Sequence, residues 1–310
     1  MPYSGANYER SISVRQGYFK TAWSDIVQSP HWVTRILLLA LLGFIPVFGW
    51  IVIAGYLWGW ARDVAWGVRT PLPERIFENS DGLLYSRGFF AAIIAIVCYA
   101  VVSLVQGLGH VISSGSVAGV AFVWGDVHSI YHAFAPLGVV SGALALFSFV
   151  VVCALALIIK LFEWTGTMRM SVYGRLSAGF QVSRLWAMIR HDYKGILRIL
   201  GMFVVISAVS VAILCLAVGL ALLAAGLFAM LFATAGVHMS NASFLLVIAA
   251  VMLVLLTVIA IAVLASFLGF LGFALVTRAI GYWTSQFDVA NWKGQDDPMP
   301  FELTGTRTGE

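Results

Sequence analysis

Four long apolar runs dominate the chain, at residues 89–108, 137–162, 199–232 and 244–276. Each reaches the ~20 residues that a helix needs to cross ~30 Å of hydrocarbon, and their interiors carry no Asp, Glu, Lys or Arg, so they predict four transmembrane helices. At the helical rise the run 199–232 would measure ~50 Å. It must therefore tilt, break or extend beyond the bilayer.

A fifth apolar stretch, 36–61, is interrupted at its centre by "GFIPVFGW". Pro46 removes a backbone donor and clashes with the preceding turn, while Gly43 and Gly49 permit a sharp reversal. Two readings fit: a re-entrant or interfacial hairpin turning at Pro46, or one proline-kinked span. Each arm of a hairpin would hold about a dozen residues, or ~18 Å of helix, too short to cross alone.

Two segments alternate with a helical period instead. In 182–200, Val182, Leu185, Trp186, Ile189, Tyr193, Ile196, Leu197 and Leu200 fall on one face, opposite Arg184, Arg190, His191, Lys194 and Arg198. Near the start, Tyr18, Phe19, Ala22, Trp23, Ile26 and Val27 oppose Arg15, Lys20, Ser24 and Asp25, and Pro30 ends the pattern. Both suit helices lying in a headgroup layer. The expected fold is all-α, a polytopic bundle of four spans with an N-terminal re-entrant or kinked hairpin and two amphipathic interfacial helices.

Charge sets the threading. The 310 residues are 61% hydrophobic and only 10% charged, against ~25% charged in a soluble domain. Residues 163–198 hold six basic groups against Glu163 and Asp192, whereas the linkers 109–136 and 233–243 hold no Lys or Arg. The basic linker is predicted to be cytoplasmic and the other two extracytoplasmic. Arg62, Arg69, Arg75 and Arg87 then lie inside, and a hairpin at 36–61 keeps Arg10, Arg15, Lys20 and Arg35 inside as well. The expected organisation is one integral domain, 1–294, whose first 35 residues form a cytoplasmic amphipathic segment, with a disordered tail at 295–310. Localisation is the cell membrane, multi-pass, with both termini cytoplasmic. The formal charge of +4 is scattered beside apolar runs, which points to anionic lipid headgroups on the cytoplasmic side and not to nucleic acid.

Several segments together resemble a family of uncharacterised polytopic membrane proteins, the domain-of-unknown-function family numbered 4013. These are "SPHWVTRILLLALLGFIPVFGWIVIAGYLWGWARDVAWG", "PLPERIFENSDGLLYSRG" and "GFQVSRLWAMIRHDYKGILRI". The matching positions are Trp32, Ile45, Pro46, Gly49, Gly55, Tyr56, Arg62, Leu72, Pro73 and Glu74. This chain departs from the family after its Leu-Pro-Glu turn, where Arg75, Ile76 and Phe77 replace the usual tryptophan and acidic residues. The resemblance implies a fold and no reaction.

Candidate chemistry is sparse. Asp126, His128 and His132 in "WGDVHSIYHAF" are the only metal candidates, and they lack a fourth group at characteristic spacing. Arg62, Asp63 and Glu74 could meet a lipid headgroup, the arginine on phosphate. Pro46 and Gly49 are assigned to the turn. Gly55 and Gly59 form a small-residue surface for helix contact or self-association. Cys98, Cys153 and Cys215 read as buried small hydrophobes. No catalytic motif or cofactor-binding pattern is present, so the expected function is a non-enzymatic membrane scaffold or accessory subunit, with a transporter or lipid-handling permease as the alternative.

The threading is testable by cysteine-accessibility labelling in a cysteine-free background. Probes at Ser4, Ser177 and Thr304 are expected to label only from the cytoplasm, and Ser116 and Ser240 only from outside. Outside labelling at both Ser4 and Ser116 would remove the hairpin and leave the kinked span.

Overall fold

The apolar runs become helices that are longer than the runs themselves, and Pro136 is accommodated within the second of them, near its start, where few preceding residues lose a hydrogen bond to it. The computed structural model describes residues 17–78, 81–123, 130–234 and 241–289. Within them lie α1 (Tyr18–Val27), α2 (Trp32–Leu42), α3 (Phe48–Ala65), α4 (Leu84–Val123), α5 (Ile130–Tyr173), the single turn α6 (Leu176–Gly179), α7 (Val182–His191), α8 (Tyr193–Thr234) and α9 (Asn241–Thr284). All regular structure among the described residues is helical. Four helices contain stretches long and apolar enough to cross a membrane, at Leu84–Gly107, Val150–Tyr173, Tyr193–Phe228 and Ile248–Phe287. The protein is thus a multi-pass all-α membrane protein. The 42 residues of α8 run without a break, which leaves tilt or extension to absorb their ~63 Å.

The buried hydrophobic side chains concentrate at one end of the long helices. They come from segments 18–65, 72–94, 161–199 and 270–289, with Trp60, Trp283, Ile26 and Leu39 among the most deeply enclosed. We call this end the base. Away from it, Tyr99, Leu104, Leu146, Phe147, Leu216, Leu222, Leu223, Leu256 and Ile259 all face outward. In a bilayer such surface meets acyl chains, and burial inside the protein is not needed to shield it from water. Cys153 and Cys215 are exposed on these faces and Cys98 is half-buried, contrary to the expectation that all three are buried. A helix that is apolar all round does not encode which of its faces turns inward.

Two breaks at the base have local causes. The amphipathic stretch 182–200 is not one helix: Asp192 (φ −135, ψ 66) separates α7 from α8. Its carboxylate accepts the Gly195 N–H at 3.0 Å and the Gln286 amide at 2.9 Å, the first of these an N-terminal cap on α8. The second break is the connection 43–47 between α2 and α3. Val47 adopts φ 62 there, an uncommon backbone state for a β-branched residue. A Cβ on Gly49 would overlap the Leu42 carbonyl, so glycine is what allows the two helix ends to meet. Phe44, Ile45, Val47, Phe48 and Trp50 around this turn are all exposed.

Helix α3 then crosses the start of α4 at near-contact distance. A Cβ on Gly55 would strike the Leu84 carbonyl, one on Gly88 the Ile51 carbonyl, and one on Gly59 the Arg87 guanidinium. Gly55 and Gly59 therefore face the same chain. Gly88→Ala is expected to force these helices apart and lower stability by roughly 1–3 kcal/mol, the usual cost of overpacking. Gly219→Ala, with open space around its α-carbon, is expected to change little. Denaturation of the purified variants in one detergent checks the contrast.

Candidate functional site

The polar chemistry of the base gathers around the loop 66–83, which joins α3 to α4. Pro71 and Pro73 deprive this loop of two donors, and the carbonyls of Thr70, Leu72 and Pro73 take partners from elsewhere. Side chains supply them. Trp60 donates its indole N–H to the Thr70 carbonyl at 3.0 Å, and Tyr56 donates its hydroxyl to the Pro73 carbonyl at 2.7 Å. Arg35, at the start of α2, donates to the Leu72 carbonyl, while the Leu72 N–H donates to the Ser29 hydroxyl at 2.6 Å. Arg35 lies at the start of α2 and Trp60 near the end of α3, so the outer ends of the two helices meet the same loop.

Beneath the loop lies a cavity of about 560 Å³, whose walls include Tyr56, Arg62, Asp63, Glu74, Asp81 and Arg87. Asp81 is its electrostatic centre. Its carboxylate accepts from Arg62 Nη1 at 2.7 Å, from Arg87 Nη2 and from the Leu83 N–H at 3.0 Å. Burial pushes the carboxyl up, but the Leu83 N–H, the Arg87 charge and the two guanidinium hydrogen bonds outweigh it and hold it at about 2. Arg62 also donates to Asp63 at 3.0 Å and lies over the Trp66 ring at 4.5 Å. Arg87 donates its other Nη to the Gly55 carbonyl at 3.1 Å, in the space that Gly59 leaves open.

Of the three residues expected to meet a headgroup, Arg62 and Asp63 are together. Glu74 instead pairs with Arg35 at 3.5 Å, and its side chain is 77% exposed, which makes that pair a weak one. Nothing in the linear pattern singled out Asp81 or Arg87 as partners of Arg62; their approach to it exists only after α3 crosses α4, and Arg35 meets the loop separately. Among the described residues no group of three His, Cys, Asp or Glu could hold a metal ion. Asp126 and His128 lie outside the described residues, as does the side chain of His132.

A second polar centre ties the base at the same loop. Arg278 of α9 is fully buried, and its Nε donates to Asp25 of α1 at 2.6 Å. Its Nη1 reaches the Trp60 carbonyl at 2.9 Å and its Nη2 the Thr70 carbonyl at 2.6 Å. Tyr282 donates to the same Asp25 oxygen at 2.6 Å, and the guanidinium sits over the Trp60 ring at 4.2 Å. One side chain thus joins α1 and α9 to the end of α3 and to the loop. A lone arginine after a long apolar run was the only sequence signal for it.

The family model described as "Protein of unknown function (DUF4013)" matches residues 38–219, more than half of the chain. The match takes in the turn, the loop and the Asp81 cluster, while Asp25 and Arg278 lie outside it. No curated protein matches the chain, and no solved structure does.

Asp81→Asn is expected to lower the melting temperature at neutral pH. Because the folded carboxyl lies at about 2, below the ~3.9 of an unfolded aspartate, its contribution is complete above ~4 and disappears as pH falls through the folded value. The difference between native and Asp81→Asn proteins should therefore stay constant from pH 8 to pH 5 and shrink from pH 4 to pH 2. A gap that persists at pH 2 would show that the carboxylate charge is not what holds Arg62 and Arg87.

Proposed function

We propose that the chain, which belongs to the family described as "Protein of unknown function (DUF4013)", is a non-enzymatic membrane scaffold or accessory subunit. The observation that carries this reading is the separation of charge from span. Among the described residues the buried arginines bond within the base: Arg62 and Arg87 to Asp81, Arg278 to Asp25, Arg35 to the Leu72 carbonyl and Glu74, and Arg169 to Gln181. The apolar helices leave that base with Lys160 and Glu163, paired to each other at 2.7 Å, as the last charges before uncharged, outward-facing surface. Beyond those basal residues the apolar stretches of the helices contain no Asp, Glu, Lys or Arg, so they offer an ion or a hydrophilic solute no charged path. Wide apolar faces with little else to do suit contact with lipid and with other membrane helices.

In this reading the chain is one membrane domain over 1–294 with the base, both termini and the tail 295–310 on the cytoplasmic side, as the placement of basic residues favours. Helices α1 and α7 lie in the headgroup layer. The segment 36–61 is a hairpin whose apolar tip enters the bilayer. Support for the hairpin comes from the exposed Phe44, Ile45, Val47, Phe48 and Trp50 at the turn and from the common loop that both of its outer ends contact.

The alternative, a lipid-handling permease, rests on the 560 Å³ cavity at Arg62, Asp63 and Glu74. Against it stands the commitment of Arg62 to Asp63 and Asp81. Photo-crosslinking from Tyr99, Leu223 and Ile259, all outward-facing, in native membranes separates the two. The scaffold reading expects a discrete protein adduct, or a dimer of this chain, from at least one position, and no lipid exchange by the purified protein in vesicles. Lipid adducts alone at all three positions, together with lipid exchange that Arg62→Ala abolishes, would replace it with the permease.

A further inference from the structure

The cavity beneath the loop has a neighbour with the opposite electrostatic character. On the other side of Thr70 and Pro71 a cavity of about 450 Å³ opens between α1, the loop and α9, and its walls include Lys20, Ser24, Asp25, Gln28, Arg69 and Tyr282. In the first cavity every buried guanidinium already meets a carboxylate. Here the balance differs. Asp25, the one carboxylate in the wall, receives Arg278 and Tyr282 on a single oxygen. Lys20 and Arg69 are both exposed and, among the described residues, neither has a carboxylate within ion-pair distance; Arg69 rests over the Tyr282 ring at 5.5 Å. Two uncommitted cations and the Ser24 hydroxyl, which accepts from the Gln28 amide at 2.9 Å, thus converge on one concave space.

Helix α1 adds what an isolated anion site would not need. Lys20, Ser24 and Gln28 recur every four residues and form its polar stripe. Phe19, Trp23 and Val27, each one position earlier, form a parallel stripe about 100° around the helix. Phe19 and Val27 are exposed and Trp23 half-buried. Phe19 stacks on Trp23 at 6.3 Å, and Trp23 meets Trp32 edge-on at 5.7 Å. The apolar surface continues along α2 through the exposed Val33, Leu37, Leu38 and Leu41. A cationic pocket beside a continuous apolar track matches a molecule that is anionic at one end and hydrocarbon at the other.

We propose that this cavity binds the phosphate headgroup of an anionic membrane phospholipid, with Lys20 and Arg69 on the phosphate, Ser24 donating to it, and the acyl chains lying along the Phe19/Trp23 stripe. The site rests on the reading above only in taking α1 to lie in the headgroup layer. It relocates the headgroup chemistry first expected at Arg62 to cations that no carboxylate occupies.

The test is native mass spectrometry of the full chain in detergent, with phosphatidylglycerol and phosphatidylcholine of identical acyl chains. Two cations at a headgroup predict a preference for phosphatidylglycerol on the order of tenfold. Lys20→Ala/Arg69→Ala is expected to bring it to within about twofold, whereas Arg190→Ala/Lys194→Ala, which removes the same charge from the amphipathic stretch 182–200, should leave it unchanged. Lys20→Arg/Arg69→Lys should keep the preference and guards against a folding defect in the alanine variant. A preference that survives Lys20→Ala/Arg69→Ala, or falls equally in both alanine pairs, overturns the site. So does binding of inorganic phosphate through Lys20 and Arg69 without any preference between the lipids, which would make it a site for a soluble anion. The measurement needs neither a protein partner nor knowledge of sidedness. Its failure would leave the scaffold reading standing, and a missing crosslinked partner would leave the lipid site standing.

Discussion

The base of this protein depends on how an irregular loop is kept from exposing its backbone. Residues 70–73 contain two prolines and pair with no strand or helix, so the carbonyls of Thr70, Leu72 and Pro73 accept from Trp60, Arg278, Arg35 and Tyr56. A carbonyl left buried without a donor costs about as much as a hydrogen bond is worth or more. Each of these side chains belongs to a different position on α2, α3 or α9. Satisfying the loop therefore fixes three helices at once, and this local requirement becomes a global one.

Arginine suits this task for a reason that lysine would not meet. Its planar guanidinium presents several donors in fixed directions, and Arg278 uses them on a carboxylate and on two carbonyls of separate segments. Arg87 likewise spans Asp81 and the Gly55 carbonyl. The flat faces of these groups also rest on indoles, Arg278 on Trp60 and Arg62 on Trp66. Such stacking is stronger where water is excluded. The glycines at 55, 59 and 88 are the other half of the arrangement, since side chains there would displace the backbone or guanidinium opposite.

This division of labour bears on function. Charges that stabilise a fold by pairing internally are not free to bind a ligand, and the Asp81 cluster is of that kind. Cations left outside such pairs, Lys20 and Arg69, are free to meet an external anion. The same contrast holds along the bundle axis: the base is built from specific polar bonds, while the helices beyond it present apolar surface whose partner is hydrocarbon or another helix.

The amino-acid sequence by itself determined the membrane class, the four apolar helices, the interruption at Pro46 and the amphipathic stretches. All of these depend on local composition and period: length of apolar run, helical spacing, and the missing donor of a proline. The sequence did not reveal that 182–200 is two helices, because the Asp192 cap is one residue in an otherwise continuous pattern and is completed by Gln286, 94 positions away. Nor did it reveal the Asp81 centre or the role of Arg278, since ion pairs such as Arg278 with Asp25 join residues more than 250 positions apart and carry no periodic signal. The headgroup expectation at Arg62, Asp63 and Glu74 followed adjacency in the chain, and only the tertiary structure decided which cations carboxylates neutralise and which they leave open. Burial, pairing and the crossing of α3 over α4 are properties of distance in space, and a linear pattern of apolar and polar residues encodes which surfaces want to be covered without encoding by what.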